Sequence, residues 1–311
     1  MSQIPDKGMF KWRVRNVFGG DPKLIAESLN DAQIKRFDVK VSEAQNIYTY
    51  LYGTKYVENV TPEWLEQFRQ YFKGLVYGWG FCYGYDYKGE GRRGGEQVKR
   101  LNLDGYAFNV EATFERQPNA TIRASDMMAE YRKIAPDTPA LWLTWPLWYN
   151  PYPNGNKATW HYHEVARNAM IYCNYGMPMI YWPNSGAYWA KFWLEKAVEQ
   201  WHELVTDKPL IPVGRLYTGD GGVCTADAIT AFGDDVRKKY QMFGESWWRM
   251  GTGLSKADWW TAMKRLAPFT VAPPPNVVPV PVWRNEITIW ARKMGYDGPW
   301  PEQEPVGADN Q

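Results

Sequence analysis

The chain has few of the residues that most often bind metals or form cross-links, with three cysteines and three histidines among 311 residues. Cys82, Cys173 and Cys224 are odd in number and far apart, which favours buried thiols over a disulfide framework or a zinc site. His161 and His163 are two positions apart, but neither a His-Glu-x-x-His pattern nor a third ligand accompanies them. We therefore expect neither a metal nor another cofactor.

The sequence also lacks an excess of one charge and any long apolar run. Lys and Arg total 36 against 34 for Asp and Glu, and they form no basic stripe, so nucleic acid is not expected as a partner. The densest basic point, residues 92–93, lies in a glycine-rich stretch that we interpret as a flexible loop. No segment is suited to spanning a membrane, and residues 1–12 do not resemble a signal peptide. We therefore expect a protein made in the cytoplasm that remains soluble.

Aromatic residues, in contrast, are abundant. The chain has 18 Trp and 21 Tyr, and aromatic residues make up 16% of it. Most of these rings must fill the core or its rim, but flat rings on a concave surface also stack well on sugar faces. The excess favours a carbohydrate or another flat ligand.

Strand patterns and helix patterns alternate along about 260 residues, the length and order typical of a (β/α)8 TIM barrel. Strands are predicted at residues 11–17, 36–41, 75–83, 106–110, 140–144, 177–182, 210–216 and 244–248. Helices are predicted at 22–30, 62–72, 95–102, from 125 or 126, at 163–173, 187–205 and 225–240, and from a capping box at 255–258. A doubly wound sheet is the alternative, but no Gly-x-Gly-x-x-Gly follows the first strand.

The composition changes near residue 268. Residues 272–281 are rich in proline, which excludes a helix or a central strand and predicts an extended, polyproline-like arm. Residues 286–294 can form a short helix that is too small to fold alone. We therefore predict a barrel over residues 1–267 and an arm over 268–311 that docks on the barrel or on another chain.

The fourth predicted strand delivers acids to the face where barrel enzymes have their active sites. Glu111 and Glu115 follow the buried run 106–110, and the carboxyl ends of barrel strands open into that face. Cleavage of a glycosidic bond commonly needs a protonated acid and a second carboxylate. We predict Glu111 as the acid, because burial among neighbouring rings would raise its pKa.

Two residues are candidates for the second carboxylate. Asp38 lies within strand two, where an ion pair with a neighbouring basic residue is the competing role, and Asp86 lies just beyond strand three. Asn109 shares a face with Glu111, where an inverting or substrate-assisted enzyme would often have Asp; an amide can orient a sugar hydroxyl but cannot take its proton. The other predicted substrate contacts are Lys40, Trp79, Trp145, Tyr181, Trp182 and Glu115.

Short motifs at the predicted strand ends resemble those of one family of barrels. They are Gly20-Asp21-Pro22, Val39-Lys40-Val41, Gly78-Trp79-Gly80, Asp104-Gly105-Tyr106, Glu111-Ala112, Met179-Ile180-Tyr181-Trp182 and the run 209–214. The family is that of the glycoside-hydrolase-like barrels of actinobacterial phages and bacteria, which are distantly similar to lysozyme-like and chitinase-like hydrolases. The resemblance covers residues 10–253, and residues 290–299 also resemble the carboxyl ends of phage tail or lysis proteins.

Two departures from the family pattern remove carboxylates from this face. Relatives commonly have Asp-x-Glu-x-Glu on strand four and Trp-Glu-Trp on strand eight, where this chain retains Glu111 alone and has Trp248-Arg249-Met250. The resemblance therefore implies a minor tail protein of a phage virion, whose barrel has lost activity and which binds cell-envelope glycan or, through its arm, neighbouring subunits. The alternative is an active glycosidase that cleaves bacterial cell-wall polysaccharide with Glu111 as its general acid.

Overall fold

The computed structural model describes residues 6–152, 160–242 and 244–269. The predicted arm lies outside the described residues from residue 270 onward, as does the predicted helix at 286–294. Within the described residues, no helix is both long enough and apolar enough to cross a membrane.

Eight parallel strands form a nearly closed barrel with helices around it, which confirms the predicted (β/α)8 fold. The strands are β1 (Lys7–Lys11), β2 (Arg36–Glu43), β3 (Asn46–Ile47), β4 (Thr49–Tyr52), β5 (Lys55–Glu58), β6 (Leu75–Cys82), β7 (Gly105–Val110), β8 (Ala140–Thr144), β9 (Tyr175–Pro178), β10 (Val213–Arg215) and β11 (Glu245–Trp248). The helices are α1 (Pro22–Asp31), α2 (Pro62–Tyr71), α3 (Tyr87–Leu101), α4 (Ala112–Glu115), α5 (Ala120–Ile134), α6 (His163–Met170), α7 (Ala187–Leu204), α8 (Ala226–Asp234), α9 (Met250–Leu254) and α10 (Ala257–Arg265).

The barrel strands follow the order β10-β11-β1-β2-β6-β7-β8-β9. Neighbours in this order pair in parallel ladders, for example Phe10 with Asp38 between β1 and β2. The ring is completed between β9 and β10 by two isolated parallel bridges, Gly176 with Leu210 and Met179 with Val213. Because all eight strands run the same way, their carboxyl ends meet at one end of the barrel.

A small β insertion follows β2 and was not predicted. Strand β3 pairs with the end of β2, and β4 and β5 form an antiparallel hairpin around Gly53, whose φ is 61°. The sequence carried a signal for this hairpin, since alternating aromatic and polar residues flank a glycine that can adopt the left-handed conformation of a turn.

The first predicted strand was placed too late. Strand β1 covers residues 7–11, whereas residues 14–16 form a short 3-10 turn instead of continuing a strand. The strand pattern at residues 7–11 was missed because it begins with Lys7, and lysine is rarely buried. Its Nζ is satisfied by the carbonyl oxygens of Ala32 and Met263, at 3.3 and 3.1 Å.

The glycine-rich stretch around residues 92–93 is helical, so the prediction of a flexible loop was wrong. Its glycines let α3 pack closely against α5. A Cβ on Gly91 would lie 2.0 Å from the carbonyl oxygen of Met127, and one on Gly95 would lie 2.8 Å from Cβ of Ile134. The glycines are therefore explained by close helix packing.

The predicted helix starts at residues 22 and 62 are confirmed. The side chains of Asp21 and Thr61, which precede them, accept hydrogen bonds from the backbone N–H of Leu24 and Trp64, at 3.0 and 3.2 Å. The predicted capping box of the last helix was wrong. The Ser255 hydroxyl donates to the carbonyl oxygen of Thr252, and α10 has no capping side chain.

Candidate functional site

A pocket of about 680 Å³ lies at the carboxyl end of the barrel. Most of its lining residues sit on or just beyond the last residue of a barrel strand, which is where this fold places its sites. Its aromatic lining consists of Trp12, Trp145, Trp160, Tyr181, Trp193, Tyr217 and Trp248. The pocket thus has the concave, ring-lined form of a small-molecule or glycan site.

Glu111 enters this pocket directly after β7 ends at Val110. Its Oε1 accepts a hydrogen bond from Nδ2 of Asn109 at 3.2 Å. Burial raises the pKa of Glu111, and the negative charges of Asp220 and Glu115 act in the same direction, while the Asn109 hydrogen bond and His161 oppose them. The carboxyl group therefore keeps its proton to a higher pH than an exposed glutamate, as a proton donor requires.

Asn109 presents a second polar group to the pocket. Its side chain is 6% exposed, and its Oδ1 is buried without a hydrogen-bond partner among the described residues. Buried polar atoms are nearly always paired, so an unpaired acceptor at the wall of a pocket is suited to a ligand N–H or O–H.

Glu115 supports the pocket indirectly. Its Oε2 lies 3.1 Å from Nδ1 of His161, and the His161 ring stacks on Trp145 with centroids 4.0 Å apart and planes 11° apart. Both rings line the pocket, whereas Glu115 does not. The predicted ligand contact of Glu115 therefore becomes a positioning contact, and His161, considered above only as a metal ligand, becomes a pocket residue.

The loop after β10 adds a carboxylate that the sequence did not indicate. Tyr217 donates a hydrogen bond to Asp220, and both residues line the pocket. The Tyr217 ring meets Tyr181 edge-on at 5.4 Å, and Arg215 lies over Tyr217 while donating to the carbonyl oxygen of Tyr181 at 3.2 Å. Loop residues follow no helix or strand periodicity, so the sequence pattern could not indicate Asp220, and the structure was needed to identify it.

The end of β11 forms another wall. Trp248 lines the pocket and packs against Phe10 and Trp79 at 5.6 and 5.4 Å, and the Trp248–Arg249 peptide bond is cis. Trp79 itself is 2% exposed, and its indole N–H donates to the carbonyl oxygen of Lys11. Trp79 therefore supports Trp248 from within the barrel and does not line the pocket.

The structure does not bring the two predicted carboxylate partners of Glu111 to the pocket. Asp38 is fully buried in the barrel, where Arg36 donates to both of its oxygens at 2.8 and 3.0 Å and Ser246 donates to one at 3.2 Å. Asp86 is exposed and caps α3 by accepting from the backbone N–H of Gly89 at 3.0 Å. Ion pairing and helix capping account for these acids.

Two further predicted contacts also lie away from the pocket. Lys40 is buried in the barrel, where its ammonium pairs with Glu43 and lies over the Tyr48 ring. Trp182 is fully buried and packs on Phe232 with ring centroids 5.5 Å apart. Of the predicted site residues, the structure brings together Asn109, Glu111, Trp145 and Tyr181.

In the part of the chain that the structure describes, no group of three or more His, Cys, Asp and Glu side chains is arranged to hold a metal ion. All three cysteines are buried free thiols, and burial raises the pKa of each of them. The polar groups of the pocket include the carboxyl groups of Glu111 and Asp220 and the amide of Asn109, set among aromatic rings.

Neither protein-family models nor curated protein sequences give a match to this chain. Several solved structures do match its fold. A GH18 chitinase from Pseudoalteromonas aurantia is 15% identical with a TM-score of 0.59, over 84% of this chain and 100% of that chain. The spore cortex-lytic enzyme SleL of Bacillus cereus is 9% identical with a TM-score of 0.57, over 86% of this chain and 76% of that one. An endo-1,4-beta-D-mannanase from Thermotoga petrophila is 11% identical with a TM-score of 0.55, over 79% and 88%. The chain therefore has a glycoside-hydrolase-like TIM-barrel fold.

Proposed function

We propose that this protein binds an N-acetylated glycan of the bacterial cell envelope in the aromatic pocket and cleaves it with Glu111 as the proton donor. The observation that carries the proposal is the pairing, in one pocket, of a buried carboxyl group whose pKa is raised with the unpaired Oδ1 of Asn109. The similar chitinase and the spore cortex-lytic enzyme support a glycan ligand by their names and fold.

The chemistry assigns different tasks to these two groups. Glu111 gives its proton to the bridging oxygen as the bond from that oxygen to the anomeric carbon breaks. The other pocket carboxylate, Asp220, is exposed and already accepts a hydrogen bond from Tyr217. In substrate-assisted hydrolysis, a group of the sugar replaces the second carboxylate. The carbonyl oxygen of a 2-acetamido group lies beside the anomeric carbon and can attack it, while Asn109 Oδ1 accepts the hydrogen bond of its N–H.

The second half of the reaction returns the site to its starting state. Water attacks the anomeric carbon of the cyclic intermediate, and the Glu111 carboxylate accepts the proton of that water. The acetamido group is regenerated, and Glu111 is protonated again. One acid and one orienting amide therefore suffice for the complete cycle.

The test compares matched oligosaccharides that differ only in acetylation. We expect new reducing ends from β-1,4-linked N-acetylglucosamine hexamers and none from the de-N-acetylated hexamers of the same length. Equal cleavage of both would show that the acetamido group is not the nucleophile and would refute the substrate-assisted mechanism. Binding of the acetylated hexamer without cleavage would refute the catalytic role of Glu111, and absence of both binding and cleavage would refute the whole proposal.

Trp145 is expected to contribute strongly to glycan affinity, because its ring lines the pocket and is held in place by His161. Replacing it with alanine removes one stacking face, which should weaken binding about tenfold, or about 1–2 kcal/mol. Isothermal titration with the acetylated hexamer measures the change. Tyr85→Ala is the matched control, since Tyr85 is an exposed ring outside the pocket; an equal loss in the control would contradict the stacking role.

The resemblance of residues 290–299 to phage tail or lysis proteins supports a second candidate function. We propose that the barrel is part of a phage tail, where it binds envelope glycan and the terminal arm binds neighbouring subunits. Deletion of residues 273–311 is then expected to leave a folded barrel that particles do not incorporate. Normal incorporation of the shortened chain into purified particles would refute this role and would leave the glycan chemistry untouched.

A further inference from the structure

A second cavity, of about 400 Å³, adjoins the aromatic pocket. Trp12 and Arg249 line both spaces, so the two share a wall. Three basic side chains, those of Lys11, Arg13 and Arg249, line the second cavity, and no carboxylate is among its lining residues in the part of the chain that the structure describes. We call this space the basic cavity.

The two arginines of the basic cavity have neutral partners. Nε of Arg13 donates to the hydroxyl of Tyr48 at 3.2 Å, and Nε of Arg249 donates to Oγ1 of Thr252 at 3.3 Å. Neither guanidinium forms an ion pair with any described residue, although ion pairs are common elsewhere on this chain. Their charges are therefore available to a ligand.

Lys11 is the most informative of the three. The residue is 4% exposed and lines the cavity, and it forms no ion pair with a described residue. Lys7, at the other end of the same strand, is equally buried, but its Nζ donates to two carbonyl oxygens. Burial and, to a lesser extent, the charge of Arg249 together lower the pKa of Lys11 to about 8. Lys11 is thus a cation held beside the like charge of Arg249 at the cavity wall, without a carboxylate to balance the two charges.

An anion in the basic cavity would balance the repulsion between Lys11 and Arg249. The lining offers the donors that a carboxylate or phosphate group requires, namely one ammonium, two guanidinium groups, the amide of Asn16 and the hydroxyl of Thr252. The shared wall places this anion next to whatever occupies the aromatic pocket. A neutral sugar alone would leave the three cations unpaired.

We propose that the basic cavity binds an acidic substituent, a carboxylate or a phosphate, of the glycan that occupies the aromatic pocket. This inference rests on the proposed function and narrows its substrate class to acidic N-acetylated glycans. Lys11, Arg13 and Arg249 are then specificity residues that touch the substituent and take no part in bond cleavage.

The test compares oligosaccharides of equal length with one variable group. The probes are a neutral N-acetylglucosamine tetramer, an alternating tetramer with N-acetylmuramic acid, the methyl ester of that tetramer, and a 6-O-phosphorylated N-acetylglucosamine tetramer. We expect the acidic probes to bind about tenfold more tightly than the neutral one, the ester to match the neutral one, and the advantage to shrink at high salt. The acidic probe with the larger advantage identifies the carboxylate or the phosphate as the natural group.

Equal affinity for acidic and neutral tetramers would overturn the inference while leaving the proposed function standing. Failure of every tetramer to bind would overturn the proposed function, and this inference with it. The two failures are therefore distinguishable in one titration series.

Variants locate the effect in the basic cavity. Lys11→Met is expected to reduce the preference for the acidic probe about tenfold, because it removes one of the three cations that line the cavity. Arg13→Gln alters an exposed side chain, so it tests the same preference without risk to folding. Arg15→Gln is the control, since Arg15 is an exposed arginine two residues away that does not line the cavity. An unchanged preference in both Lys11→Met and Arg13→Gln would overturn the proposal.

Discussion

Glu111→Gln is expected to lower turnover of the acetylated hexamer by about a thousandfold, because general-acid groups typically contribute 10²- to 10⁴-fold to rate. Glutamine has the same shape but no proton to give. Affinity should remain within about twofold, since the aromatic walls of the pocket are untouched. Initial rates of reducing-end formation, together with titration of the same ligand, separate the two effects.

Glu115→Gln is the matched control for this experiment. The same chemical change is made four residues later, on an acid that contacts His161 and does not line the pocket. We expect a decrease in turnover of less than about tenfold, arising from a less firmly held His161. A loss as large as that of Glu111→Gln, or full activity in Glu111→Gln, would contradict the assignment of the proton donor.

The pH profile follows from the same carboxyl group. Glu111 must be protonated to act, and burial raises its pKa, so cleavage should continue to a higher pH than an ordinary glutamate would allow. The rate then declines as pH rises through that pKa. The residual rate of Glu111→Gln should lack this decline, because glutamine does not titrate in this range.

Asp38→Asn is expected to destabilise the fold by about 3–5 kcal/mol, the usual result of removing one partner from a buried ion pair. Arg36 and Asp38 are both fully buried, and the guanidinium donates to both carboxylate oxygens. Asparagine keeps the shape but leaves the charge of Arg36 uncompensated. Urea denaturation followed by Trp fluorescence measures the change in the free energy of unfolding.

Asp86→Asn supplies the comparison for Asp38. Asparagine caps helices about as well as aspartate, so the N-cap of α3 should survive with almost no change in stability. If Asp38→Asn were instead as stable as the wild type but inactive, Asp38 would have a catalytic role and its structural assignment here would be wrong.

The sequence predicted the fold because the signal was repeated along the chain. Each of the eight apolar runs and the helical patterns between them can be recognised from its own short segment of sequence. Glu111 was found because an acid directly after a buried strand must lie near the carboxyl end of the barrel. Asp38 shows the limit of that reasoning. The alternation of side chains along a strand identifies the face of the sheet on which a side chain lies, but not how far it lies from the open end of the barrel. That distance decides whether a carboxylate contacts a ligand or pairs with a buried arginine.

Loop residues account for most of what the sequence did not reveal. Trp160 and Asp220 reach the pocket from segments with no helix or strand period, so no spacing rule links them to Glu111. Trp12 was assigned to the first predicted strand, whereas it directly follows β1. The sequence did not indicate the basic cavity either. Lys11 was placed at the start of the first predicted strand, whereas it is the last residue of β1, at the end of the barrel that opens into the sites.

The closure of the barrel between β9 and β10 has a consequence for ligand binding. Other neighbouring barrel strands pair in ladders, whereas these two meet through isolated bridges, so local opening should begin along this line. Tyr181 and Tyr217 lie just beyond the two strands and both line the pocket. These two rings already contact each other, and a glycan that binds both would strengthen this connection and stabilise the folded barrel. The ligand would then stabilise the barrel along the line where its strands are paired least.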